Sequence, residues 1–95
     1  MVLSTHSFSI ANENIIDKET KNFPKPDKEM VDVAIKDLKK NGLNNLNITP
    51  TTGKFKGAYR YKLKKDYRII FYIDEIKKEI TIERIGQREG VYKNR

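Results

Sequence analysis

Cationic side chains alternate along one strand-like segment in the second half of the sequence. Strict alternation over residues 59–63 places Arg60 and Lys62 on one face of a strand, and Lys64 continues the pattern. Arg68 follows a short turn, so hairpin pairing brings it near Lys62 or Lys64. Like charges side by side on a sheet lower stability, which makes this cluster a candidate site for an anionic ligand. The alternative is a solvated outer sheet face without a ligand.

The distribution of charge favours a polyanionic partner. The chain has 95 residues and a net charge of +7. Residues 1–48 hold seven Lys and seven Asp or Glu, whereas residues 49–95 hold thirteen Lys or Arg and six Asp or Glu. A one-sided basic excess is typical of proteins that bind nucleic acid or an acidic protein segment, although a Lys-rich surface without a specific partner gives the same count.

Several other classes of protein are disfavoured. The length predicts one domain over residues 1–95, and the absence of cysteine excludes disulfides and Cys-based zinc sites. No signal peptide or membrane-length apolar run is evident, so a cytoplasmic protein without membrane contact is expected. The sequence has no Gly-rich phosphate loop, His-Glu metal motif or nucleophile elbow, and its one histidine, His6, has no evident partner.

The pattern of apolar residues predicts an α+β fold. Asp27 is expected to cap an amphipathic helix over residues 28–40, with Gly42 as a left-handed cap at its end, and two prolines at 23–26 exclude helix before it. Residues 43–58 read as a loop with short structured pieces. The remaining elements are a short strand at 7–10, a short helix within 12–22, and a meander of strands at 59–63, 67–73 and 79–85. Both helices should pack on one face of the sheet.

Three blocks in the C-terminal half resemble the RelE/ParE toxin superfamily. They are a strand with alternating basic residues, a strand of the form Tyr-Arg-Ile-aromatic-x-Ile-Asp, and a closing Ile-Gly-x-Arg followed by Val-Tyr. The blocks occur in order and at the family's spacing across about residues 55–93, whereas residues 1–45 match only in layout. In this sequence they span residues 57–63, 66–74 and 82–92.

The resemblance implies an RNA-cutting site made of cations and a tyrosine, without metal or other cofactor. It assigns catalytic roles to Lys62, Arg68, Arg88 and Tyr92. Arg60 stands where the best-studied pattern has lysine, which makes it a phosphate binder rather than a proton-transfer group. Gln87 stands where many relatives carry histidine, and an amide does not transfer a proton near neutral pH. The residues expected to bind RNA phosphates are Arg60, Lys64, Lys54, Lys56 and Lys93.

The chemistry that such a site could perform is attack of an RNA 2′-OH on the adjacent phosphorus. Negative charge gathers on the phosphoryl oxygens in the transition state, where Arg68 and Arg88 could stabilise it through forked donors. Lys62 could take the 2′-proton if neighbouring cations favour its neutral amine. Tyr92 could stack on a base, and the general acid stays open between Arg88 and Tyr92.

The resemblance therefore implies the toxin of a type II toxin–antitoxin system. Its substrate would be mRNA in the ribosomal A site, with rRNA as a further contact, and its inhibitor a cognate antitoxin in a toxin–antitoxin hetero-oligomer. The antitoxin segment should be acidic or amphipathic and should cover the basic face or displace the C-terminal tail. Two alternatives stay open: a ParE-like inhibitor of DNA gyrase, and a non-catalytic relative that binds nucleic acid or a partner protein.

Overall fold

The computed structural model describes residues 7–87, and these form one mixed sheet with two helices. The expected layout of a short first strand, two helices and a meander is confirmed. Two single 3₁₀ turns, at Gly53–Phe55 and Lys64–Asp66, flank β3. In chain order the elements are β1 (Ser9–Ile10), α1 (Asn14–Thr20), α2 (Lys25–Asn41), β2 (Ile48–Pro50), β3 (Tyr59–Lys62), β4 (Tyr67–Asp74) and β5 (Glu79–Gln87).

The sheet has five strands in the order β1-β5-β4-β3-β2. Strand β1 runs parallel to β5, and all the other neighbours are antiparallel. Strand β2 is one of the short structured pieces expected within the loop over residues 43–58, and the structure shows it to be a strand in which Ile48 pairs with Tyr61 and Pro50 with Tyr59. A three-residue strand that contains proline gives little sequence signal, and proline is tolerated there because β2 is an edge strand.

The main core lies between α2 and one face of the sheet. Val31, Ala34 and Leu38 of α2 are 3% exposed or less, and they pack in one cluster with Ile69 and Phe71 of β4. Ile15 and Ile16 of α1 pack against the same cluster, which confirms that the helices cover one sheet face. Among the described helices, none is long and apolar enough to cross a membrane.

The first turn of α2 differs from the prediction. The helix begins at Lys25 and includes Pro26 in its first turn, so the two prolines do not exclude helix over the whole segment. Proline is tolerated there because its missing N–H would have no partner within the helix. Asp27 is therefore not the N-cap. Its carboxylate instead accepts hydrogen bonds from Lys65 Nζ at 2.9 Å and from the Tyr67 hydroxyl at 2.7 Å.

The second half of α2 is tied to β3 through another carboxylate. Asp37 accepts hydrogen bonds from the Tyr61 hydroxyl and from the side-chain amides of Asn41 and Asn45, each at 2.6 Å. Burial alone would raise the pKa of Asp37, but these hydrogen bonds outweigh it and leave the pKa lowered. Burial, followed by the bond to Asp37, raises the pKa of Tyr61 to about 12.

Helix α2 ends at Asn41, and Gly42 is its C-cap, as predicted. Gly42 has a φ of 57°, and its N–H donates to the Leu38 carbonyl at 2.9 Å. Its ψ of −126° lies outside the left-handed helical region that the sequence suggested. A Cβ at this position would lie 2.6 Å from Cε1 of Phe8. Glycine is thus required both by the backbone and by the close approach of the Phe8 ring.

Candidate functional site

Four cations lie on the sheet face opposite the helices, and we call Arg60, Lys62, Arg68 and Arg84 the basic face. Their positions follow from register. Arg60 pairs with Ile70 and Ile70 with Arg84, which forms one row across β3, β4 and β5. Lys62 pairs with Arg68 and Arg68 with Gly86, which forms the next row. The intervening residues of these strands, including Tyr61, Ile69 and Ile85, point into the core under the helices.

The pair Lys62–Arg68 resolves the register that the sequence left open. The two residues are direct cross-strand partners, with Lys62 exposed and Arg68 only 7% exposed. Directly opposed like charges destabilise a strand pair. The one described ion pair of Arg68 joins its Nη2 to Oδ1 of Asp66 at 3.4 Å, and the Asp66 side chain is 59% exposed. This solvated contact compensates little of the charge of Arg68.

Arg68 also has an unsatisfied hydrogen-bond donor among the described residues. Its Nε is buried and has no hydrogen-bond partner among the described residues. Native proteins leave few buried polar groups unpaired, and a guanidinium donor without a protein partner is suited to an anionic ligand. The geometry at Arg68 is therefore that of an incomplete anion site.

Arg84 is a member of the basic face that the sequence did not single out. The register shifts between Ile70 and Phe71, because Ile70 pairs with Arg84 whereas Phe71 pairs with Ile82. Glu83 is thus an extra residue in β5, as in a β-bulge. The signal in the sequence was the spacing of the buried isoleucines, since Ile82 and Ile85 differ by an odd number and cannot share a face in a regular strand.

A short loop seats an aromatic ring beside Arg84. Thr51 donates from its hydroxyl to the carbonyl of Phe55 and to that of Ala58, which closes the loop over residues 51–58. Phe55 is 4% exposed and packs with Ala58 and Ile70 on the outer side of the sheet. The guanidinium carbon of Arg84 lies 6.0 Å from the centroid of the Phe55 ring, within the range of a cation–π contact.

Of the other predicted phosphate binders, Arg60 belongs to the basic face, whereas Lys54, Lys56 and Lys64 lie around it. Arg60 donates from Nη2 to the Thr49 hydroxyl at 3.0 Å. Lys54 lies 5.5 Å from the Phe55 centroid, so it shares that ring with Arg84. Lys56 is an exposed residue of the same loop. Lys64 lies beyond the end of β3 and lines a groove of about 520 Å³ beside α2 rather than the rows of the basic face.

The turn that joins β3 to β4 fixes the Lys62–Arg68 pair. Lys65 and Asp66 have φ values of 59° and 65°, so two consecutive non-glycine residues occupy the left-handed region. The Leu63 N–H donates to the Tyr67 carbonyl at 2.8 Å and closes the turn. Asp27 of α2 holds this turn in place by accepting hydrogen bonds from Lys65 and Tyr67. The bond from Lys65, followed by that from Tyr67, lowers the pKa of Asp27.

Part of the predicted site cannot be placed in this geometry. Arg88, Tyr92, Lys93 and His6 lie outside the described residues. Gln87 is the last described residue, and its side-chain amide donates to the Lys65 carbonyl at 3.4 Å. Within residues 7–87, no group of three or more His, Cys, Asp or Glu side chains could hold a metal ion.

Comparison with known proteins connects this chain with toxins only at the level of structure. No family model and no curated protein matches the sequence. The toxin–antitoxin complex RelBE2 of Mycobacterium tuberculosis matches with a TM-score of 0.68 and 18% identity, over 86% of this chain and 99% of that chain. A mutant of Escherichia coli toxin RelE in the free state matches with a TM-score of 0.62 and 17% identity, over 90% of each chain.

A further match is a YoeB/ParE toxin from Agrobacterium tumefaciens, with a TM-score of 0.65 and 9% identity over 86% of this chain and 98% of that chain. These likenesses agree with the resemblance seen in the sequence. Identities of 9–18% show the fold: the chain has the α+β fold shared by RelE, YoeB and ParE toxins. The chemistry has to be argued from the residues themselves.

Proposed function

We propose that this chain is the toxin of a type II toxin–antitoxin system and that it cuts mRNA on the ribosome. The observation that carries the proposal is the Lys62–Arg68 pair, in which two cations oppose each other across β3 and β4 and the Nε of Arg68 has no hydrogen-bond partner within residues 7–87. Opposed cations that lower stability, one of them with an unsatisfied guanidinium donor, are expected where the ligand is a phosphodiester.

The proposed reaction is cleavage by the RNA's own 2′-OH. The 2′-oxygen bonds to the adjacent phosphorus, the bond from phosphorus to the 5′-oxygen breaks, and the products are a 2′,3′-cyclic phosphate and a 5′-OH. Lys62 takes the 2′-proton in its neutral amine form, which the neighbouring cation Arg68 favours over the ammonium, and Arg68 stabilises the charge that develops on the phosphoryl oxygens. In this proposal Arg88 supports the same charge and Tyr92 stacks on a base, while the proton reaches the 5′-oxygen from Arg88 or Tyr92.

The ribosome supplies what the site lacks. Within residues 7–87 the four residues of the basic face are all cations, and the carboxylate of Asp66 beside Arg68 is engaged with that guanidinium. Substrate alignment in the A site would therefore provide much of the rate, because positioning a 2′-OH in line with phosphorus removes a large entropic part of the barrier. We accordingly propose mRNA and rRNA as contacts, in the cytoplasm, and one toxin domain over residues 1–95.

An antitoxin completes the proposal, since an unrestrained nuclease of this kind would stop translation. Two of the matching structures are described as toxin–antitoxin complexes. For this chain we propose an acidic or amphipathic antitoxin segment that covers the basic face. Such a segment would screen the Lys62–Arg68 repulsion and exclude RNA from the same surface.

The proposal is tested by translating a defined mRNA in a purified system and mapping the 5′ ends. The native protein should produce cleavage at codon positions. Arg68→Ala and Arg88→Ala should each reduce the rate about 10²-fold or more, by analogy with the loss of one transition-state donor. The matched control is Lys36→Ala, which removes the same charge from the exposed side of α2. Intact mRNA, together with loss of gyrase supercoiling, would establish the ParE-like alternative instead. If neither mRNA cleavage nor inhibition of gyrase is observed, the alternative of a non-catalytic binding protein is supported.

A further inference from the structure

Two guanidinium nitrogens on the basic face are buried and have no partner in the part of the chain that the structure describes. Besides Arg68 Nε, the second is Nη1 of Arg84, which also has no hydrogen-bond partner among the described residues. These two atoms are the buried side-chain donors or acceptors left without a partner in residues 7–87. Unpaired buried groups are uncommon in native proteins, and two on one surface call for a common explanation.

The register places the two arginines next to each other. Arg68 pairs with Gly86, and Arg84 lies two residues before Gly86 on the same face of β5. They therefore occupy diagonal positions on adjacent strands, where neighbours are about 7–8 Å apart and long side chains can reach each other. Gly86 carries no side chain, so no side chain of β5 separates the two guanidinium groups at the position opposite Arg68.

Both side chains are held in place rather than free in solvent. Arg84 lies against the Phe55 ring at 6.0 Å, and that ring is fixed over the fully buried Ile70. Arg68 is 7% exposed, with its Nη2 near Asp66. Fixed donors lose little conformational entropy when a ligand binds, which favours affinity for a planar or tetrahedral oxyanion.

We propose that Arg84 and Arg68 together form a phosphodiester-binding subsite that holds single-stranded RNA on the basic face. The choice of RNA as the source of the phosphate rests on the proposed function. Lys62, exposed beside Arg68, lies on the opposite side of Arg68 from β5 and would contact the neighbouring phosphate. The Phe55 ring beside Arg84 is only 4% exposed and is not available for base stacking, so the two arginines would contact the backbone and not the base.

The test measures binding of a fully 2′-O-methylated oligonucleotide, which cannot be cut by 2′-attack, to the free protein by fluorescence anisotropy. Arg84→Gln should weaken binding about tenfold and reduce the slope of log affinity against log salt by about 0.7, the value for one phosphate contact on a single strand. Arg84→Lys should restore the salt slope but only part of the affinity, because it keeps the charge and loses the fork. Lys36→Gln, with the same loss of charge on α2, is the control.

Affinity and salt slope in Arg84→Gln equal to those of Lys36→Gln would overturn the subsite. A second measurement guards against misfolding of the variants. In the native protein, the Nε–H NMR signals of Arg68 and Arg84 should both shift on addition of the oligonucleotide, and unchanged signals would contradict the proposal. Inorganic phosphate added to the free protein should shift the same signals. Added to the complex at the same concentration as the oligonucleotide, it should not displace the oligonucleotide. Equal displacement would show a site for free phosphate and not for an RNA strand.

The outcome for the subsite is separate from that for the proposed function. Binding that depends on Arg84, together with intact mRNA in the translation assay, would keep the subsite and reject the nuclease. Cleavage in translation, together with binding indifferent to Arg84, would keep the nuclease and reject the subsite.

Discussion

At the scale of single residues, the basic face is defined by what its arginines lack. Arg68 is almost fully buried, stands opposite Lys62, and has only the exposed Asp66 as a described ionic partner. A residue selected for folding alone would not keep a buried, unpaired Nε beside a like charge. Its position is explained if stability has been exchanged for anion binding, as is common at functional sites.

This exchange predicts that Arg68→Met stabilises the free protein. The change removes the unpaired Nε and the repulsion with Lys62, and methionine keeps most of the apolar stem in contact with its surroundings. The free energy of unfolding, measured with urea at pH 7, should rise by about 1 kcal/mol. Lys36→Met on exposed α2 is the control and should change stability by less than about 0.5 kcal/mol. A loss of stability in Arg68→Met would show that Arg68 is a structural residue.

The sequence predicted three residues of the basic face and missed the fourth, Arg84. Alternation alone placed Arg60 and Lys62 together, and it left Arg68 opposite Lys62 or Lys64. Arg84 was missed because the bulge at Glu83 changes which residues of β5 face outward. The odd spacing of Ile82 and Ile85 carries that information, but it has meaning only once the side of the sheet that the helices cover is known.

At the scale of elements, the ends of α2 depend on contacts distant in sequence. The first turn is set by Asp27, which binds Lys65 and Tyr67 across 38 and 40 residues of chain. A local reading assigned Asp27 as an N-cap because aspartate is favoured there. The partners of Asp27 become visible only when the β3–β4 turn is brought against α2. Similarly, residues 48–50 form β2 because they pair with the backbone of β3, and not because they have a strong preference for strand.

The other end of α2 gives a prediction about close packing. Gly42→Ala should lower the free energy of unfolding by about 2–3 kcal/mol, because the new Cβ would overlap the Phe8 ring and the residue has a φ of 57°. Gly53→Ala is the matched control, since Gly53 has a φ of 65° but nothing lies within 4 Å of its Cβ position. It should show backbone strain alone, about 1 kcal/mol. If urea denaturation gives equal losses in the free energy of unfolding for Gly42→Ala and Gly53→Ala, the Phe8 ring moves aside without destabilising the protein.

At the scale of the whole molecule, hydroxyl–carboxylate pairs fasten α2 to the sheet at two points. Asp27 with Tyr67 lies at its first turn, and Asp37 with Tyr61 lies in its second half. The hydrogen bonds lower the pKa of each aspartate, as described above. The hydrogen bond to Asp27, followed by burial, raises the pKa of Tyr67, just as burial and Asp37 raise that of Tyr61.

These shifts predict how stability depends on pH. A carboxyl whose pKa is lowered by folding stabilises above its unfolded pKa of about 4, and that contribution is lost as the pH falls through its folded pKa. A tyrosine whose pKa is raised stabilises below its unfolded pKa of about 10, and the contribution is lost as the pH rises toward its folded pKa, which for Tyr61 is about 12. The urea concentration at the unfolding midpoint should therefore decrease as the pH is lowered below about 4 and as it is raised above about 10.

A variant isolates the contribution of one pair to that profile. Tyr61→Phe removes the group whose ionisation is suppressed by burial and by Asp37. Its stability should be lower than that of the native protein at pH 7, and the decline between about pH 10 and 12 should be shallower. Tyr72→Phe serves as the control, because it removes the same hydroxyl from a tyrosine that is 38% exposed on β4. An unchanged alkaline decline in Tyr61→Phe would show that other groups cause it.

The central claim, that this basic sheet cuts mRNA through the 2′-OH, is tested most directly by altering the substrate. The assay is ribosomal translation of an mRNA in which the nucleotide at the mapped cleavage position carries 2′-deoxyribose, compared with the all-ribose mRNA. The account predicts efficient cleavage of the all-ribose mRNA to a 5′-OH fragment, and no cleavage at the substituted position. Cleavage that persists at the deoxyribose, or a failure to cut either mRNA, would contradict it.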